Sequence, residues 1–111
     1  MAIKDRRSGE ERRSVNRYQV EVDVEWQTSA GRSPGTLSDV GLDGCFVLSS
    51  GEVTDGEPVK IFVPLADGMN VEFTGLVTNH VFEIGFGAKF DKISAAQRDL
   101  LARMVQDAEA R

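Results

Sequence analysis

The sequence predicts a mainly β protein: six antiparallel strands closed into a barrel, preceded by a flexible basic arm and followed by one C-terminal α-helix. Three observations carry this reading. Tyr18, Val20, Val22, Val24 and Trp26 alternate with polar residues, the period of a strand with one buried face. From there to Phe90, short apolar runs alternate with segments rich in glycine, proline and aspartate. After Ser94 the apolar spacing changes to three and four residues, the period of a helix. Short strands in a chain of 111 residues favour a closed barrel, because an open sheet would leave unpaired edges.

Residues 1–17 have almost no apolar content and read as a flexible arm. The first strand runs from Tyr18 to about Gln27. Ser29-Ala30-Gly31 and Ser33-Pro34-Gly35 predict turns, followed by a short strand over Thr36–Asp39. Two glycines three residues apart in Asp39-Val40-Gly41-Leu42-Asp43-Gly44 predict a tight turn with unusual backbone angles. Cys45–Leu48 reads as a short buried strand and Ser49–Gly56 as a polar loop. Pro58–Val63 is the next strand, closed by Pro64 and an Asp67-Gly68 turn. Val71–His80 follows, with Gly75 marking a bend or bulge. In the last strand Ile84, Phe86, Ala88 and Phe90 form the apolar face. Ser94 with Gln97 is a capping-box signature, and Leu100, Leu101, Met104, Val105 and Ala108 make the helix's apolar stripe. The helix is expected to plug or flank one open end of the barrel. The organisation is a single domain over 1–111: arm 1–17, barrel 18–93, terminal helix 94–111.

Composition narrows the function. One cysteine precludes an internal disulfide, and with one histidine a metal centre is not expected. The N-terminus is charged from Lys4 onward, so no signal peptide is expected; no run approaches the roughly 20 apolar residues of a membrane span. A cytoplasmic protein without membrane insertion is the expectation. Net charge is −5, unevenly placed: Lys4, Arg6, Arg7, Arg12, Arg13 and Arg17 against Asp5, Glu10 and Glu11 give the arm +3, leaving −8 on the rest. An acidic body disfavours DNA or RNA, whereas a basic arm suits a small anionic ligand. No catalytic set is visible. His80 has no serine or cysteine motif beside it, Cys45 lies in an apolar run as a structural thiol would, and the glycines lack the Walker lysine. The chain is therefore expected to be no enzyme and to carry no cofactor.

The arginines suggest something more definite. Arg13-Ser14-Val15-Asn16-Arg17 is an RxxxR motif immediately ahead of the first strand, with Arg12 adjoining it. Arginine pairs bidentately with phosphate or a guanine edge and stacks on π-faces. Asp39 to Gly44 reads DxGxxG. With the closing Gly85-Phe86-Gly87-Ala88-Lys89-Phe90 strand and terminal helix, the chain resembles the PilZ domain family over nearly its whole length. Members of that family are bacterial domains that bind the second messenger cyclic di-GMP through RxxxR and DxSxxG motifs on a small barrel.

The resemblance implies a cyclic di-GMP receptor or adaptor whose arm is ordered by ligand and whose new surface is read by a downstream protein partner. The ligand-binding residues it implies are Arg12, Arg13, Arg17, Asp39, Gly41 and Gly44. Arg13 and Arg17 would stack on guanine or reach its O6/N7 edge, and Arg12 would add a phosphate or edge contact. Asp39 would accept from the guanine N1–H and N2–H donors, and Gly44 would let the turn approach the ligand. His80, at the end of the fifth strand, is a further candidate for stacking on a base, set against a rim histidine with no role. Gly41 stands where the family has serine. Either one hydrogen bond worth about 0.5–1.5 kcal/mol is lost, or a water takes its place. The alternative is a degenerate PilZ-like scaffold in motility or pilus machinery that no longer binds nucleotide.

Overall fold

The structure is a computed structural model that describes residues 17–109. Six antiparallel strands, β1 (Tyr18–Thr28), β2 (Gly31–Val40), β3 (Gly44–Leu48), β4 (Pro58–Pro64), β5 (Asn70–Val81) and β6 (Gly85–Phe90), precede one helix, α1 (Ala95–Glu109). The strands close into a barrel in the order β1-β2-β3-β6-β5-β4, with β4 returning to β1 through Glu25, Trp26 and Gln27. The expected barrel and terminal helix are both present.

Inward residues make one continuous core. Trp26 is 2% exposed and meets Phe86 edge-on at 4.9 Å between centroids. Phe73 and Phe90 pack at 5.0 Å. Each such buried side chain stabilises the fold by roughly 1.5–3 kcal/mol. Leu100, Leu101 and Met104 of α1 join the same core, and the helix packs on β1. Its first turn is closed by the predicted capping box: Ser94 N donates to Gln97 Oε1 at 2.6 Å and Gln97 N to Ser94 Oγ at 3.1 Å. Gln97 Nε2 also donates to the Glu72 carbonyl, fastening α1 to the start of β5.

Several local expectations are corrected. Ser33-Pro34-Gly35 is not a turn but lies within β2, which starts at Gly31 after a two-residue hairpin. β2 pairs with β3 only from Thr36 onward, so Pro34 sits on an edge segment where its missing N–H costs no ladder bond. Its carbonyl accepts from Trp26 Nε1 and from Ser49 Oγ, both at 3.2 Å. Gly75 is not a bulge: its ladder to β4 and β6 is regular, and the shift in β5 comes at Val77/Asn79. A Cβ on Gly75 would collide with the Lys89 carbonyl oxygen, so close strand approach explains the glycine. Ile84 is 54% exposed and precedes β6, because Glu83 turns the hairpin with a φ of 61°.

Two further register shifts shape the end of the barrel at which β1 begins. One separates Gln19 from Val22 in the β1–β2 ladder, and the other separates Leu37 from Asp39 in the β2–β3 ladder. The extra residue at Ser38 lets Leu37 and Val40, three apart, both face the core. It also leaves Asp39 half-buried at the surface end of β2.

Candidate functional site

β1 begins beside the end of β2, with Tyr18 opposite Val40. That register brings Arg17 to the β2–β3 turn. Its Nε donates to Asp43 Oδ1 and its Nη1 to Asp39 Oδ1, both at 3.2 Å. The three side chains are each about a third or more exposed, so the pairs are surface ion pairs worth about 0–1 kcal/mol each. Partial burial disfavours the Arg17 charge, but hydrogen bonds and charge from Asp43, then Asp39, outweigh it and raise its pKa.

The turn itself is tightly built. Gly41 N donates to the Gly44 carbonyl at 2.9 Å, and Phe90 N donates to the Asp43 carbonyl at 2.8 Å, anchoring the turn to β6. The expectation of unusual backbone angles is not met, since the glycines with positive φ among the described residues are Gly31, Gly56 and Gly68. Gly44 is required for space instead. A Cβ there would run into the Ala88 carbonyl oxygen and stand 3.1 Å from Arg17 Nη2. The guanidinium thus lies across Gly44, its Nε and Nη1 bound to carboxylates. Gly41 is buried in the same turn.

Of the residues singled out from the sequence, the structure brings together Arg17, Asp39, Gly41 and Gly44. Arg12 and Arg13 lie outside the described residues. His80 is placed elsewhere: it pairs with Phe86 near the β5–β6 hairpin, whereas Gly44 pairs with Lys89 towards the other end of β6. Its Nε2 is buried with no hydrogen-bond partner among the described residues. Sequence reasoning passed over Asp43 as a turn residue. The available signal was a second carboxylate four residues after Asp39 and directly before the glycine. Cys45 follows the turn with its thiol pushed up to about 12 by burial, too high for a thiolate near neutral pH. Among the described residues, no group of three His, Cys, Asp or Glu side chains is placed to hold a metal. No described helix is long and apolar enough to cross a membrane.

The model of the PilZ domain matches residues 11–107, which include both the arginine motif and the turn. The chain belongs to the PilZ domain family. Solved structures share its fold. The PilZ domain of CeSA from a cellulose-synthesizing bacterium is 20% identical, with a TM-score of 0.64 over 85% of this chain and 98% of that one. The PilZ domain of Escherichia coli YcgR, solved with c-di-GMP, is 16% identical, with a TM-score of 0.71 over 89% and 92%. The Borreliella burgdorferi PlzA protein in complex with c-di-GMP is 14% identical, with a TM-score of 0.70 over 93% of this chain and 45% of PlzA. No curated protein matches the chain.

Proposed function

We propose that this PilZ domain is a cyclic di-GMP receptor that acts by binding and not by catalysis. The observation that carries it is the convergence of Arg17, Asp39 and Gly44 at one rim of the barrel, from two motifs 22 residues apart in sequence. Both halves of guanine recognition are present there. A guanidinium can stack on the base or bind its O6/N7 edge, and a carboxylate can accept from N1–H and N2–H. The ligand's two phosphates find further cations in Arg12 and Arg13 of the basic arm. Solved structures of the same fold that hold c-di-GMP support the same reading.

In this reading, ligand draws residues 1–16 onto the barrel, and an as yet unidentified protein partner recognises the ordered surface. The protein works in the cytoplasm, where the second messenger is made. Isothermal titration of the full chain with cyclic di-GMP tests the proposal. Wild type should bind and Arg17→Ala should lose measurable binding while remaining folded. Equal affinity in both proteins would remove Arg17 from the site; absence of binding in folded wild type would favour a scaffold that has shed its ligand.

A further inference from the structure

We propose that Asp43 lowers the ligand affinity of this site by competing, as an internal anion, for the Arg17 guanidinium; the inference rests on the cyclic di-GMP reading above. Arg17 meets two carboxylates through the same kind of contact, Nε to Asp43 and Nη1 to Asp39, each at 3.2 Å. Together the three side chains carry −1, and the ligand brings two phosphate charges of the same sign. Any phosphate or guanine edge that takes Nε or Nη1 must first displace a carboxylate.

The two carboxylates stand differently towards that exchange. Asp39 can trade Arg17 for the donor edge of guanine and so keep a partner for its charge. Asp43 has no such role in the proposed contacts, and the hydrogen bond from Phe90 N to its carbonyl pins its backbone beside the site. Its charge therefore remains within a few ångströms of a dianionic ligand, unneutralised once Arg17 turns away. The site is thus detuned by a residue that the DxSxxG pattern leaves unspecified.

Asp43→Asn isolates the charge, because the amide oxygen still accepts from Arg17 Nε. Titration with cyclic di-GMP should show binding tightened about three- to tenfold at low salt, with the gain shrinking as salt rises. The thermal midpoint of the ligand-free protein should be nearly unchanged, and intact mass should verify that the new Asn-Gly pair has not deamidated. Asp43→Ala, which removes the competing acceptor as well as the charge, should gain at least as much. If wild type binds and Asp43→Asn binds equally or more weakly, Asp43 is a positioning or ligand-accepting residue and the inference falls while the receptor reading stands. If only Asp43→Asn binds, the competition is confirmed and wild type is not a receptor by itself. If neither folded protein binds, both ideas fall.

Discussion

Arg17 and Asp39 occupy the same ion pair, but they would speak to different parts of a guanine nucleotide. The arginine can address any base face or phosphate, so it would contribute affinity with little selectivity. The carboxylate would be the selective element, because guanine offers two donors on its Watson–Crick edge and adenine does not offer that pair. Asp39→Ala should therefore cost cyclic di-GMP roughly 1.5–3 kcal/mol, about one to two decades in affinity, and cost cyclic di-AMP far less. Competition binding of the two dinucleotides checks this; an unchanged guanine preference would mean that Asp39 does not read the base. Asp39 and Asp43 should thus respond to neutralisation with opposite signs, although both hold Arg17 at the same distance. Arg17, Asp39 and Gly44 were legible from motif spacing. Asp43 carried a weaker signal, because its contact with Arg17 follows from the register that sets Tyr18 against Val40. His80 ends a strand as expected, but it pairs with Phe86, away from the β2–β3 turn.

Among the elements, those with an unbroken period were the most readable. β1 and β4 alternate cleanly, and α1 carries both its stripe and its capping box. In β2 and β5 an extra residue breaks the period on one side, and the sequence alone does not show where. The shifts at Ser38 and Thr78 are of this kind, and the first helps to aim the site. Pro34 and its neighbours misled for another reason: proline and glycine suit a turn and an edge strand equally. The helix cap offers a test of how separable the elements are. Ser94→Ala removes the acceptor for Gln97 N and should cost about 1 kcal/mol, lowering the thermal midpoint by about 4–8 °C. Cyclic di-GMP affinity should stay unchanged, since the cap is tied to Glu72 at the start of β5 and not to the β2–β3 turn. Calorimetry and titration on the same sample separate the two effects. A loss of affinity would show that α1 helps to shape the site.

Across the whole molecule, the stabilising core and the proposed recognition site lie in different places. The core gains its free energy from the closed barrel, with Trp26 against Phe86, Phe73 against Phe90, and Leu101 on the buried face of α1. The proposed recognition groups are polar and lie at one rim, where the pairs are exposed and add about 0–1 kcal/mol each to the free protein. A ligand that binds only the folded form then stabilises it by mass action, whatever the core contributes. At a free concentration about 100 times Kd the gain is about 2.7 kcal/mol, and for a domain of this size it should raise the thermal midpoint by about 10–20 °C. Arg17→Ala should abolish that rise and leave the ligand-free midpoint close to wild type. These two results belong together. An arginine that mattered to the fold would lower the ligand-free midpoint, whereas an arginine outside the site would leave the ligand-induced rise intact. Thermal scans of wild type and variant, with and without cyclic di-GMP, therefore distinguish a recognition residue from both alternatives. An equal rise in both proteins would place the ligand away from the β2–β3 turn.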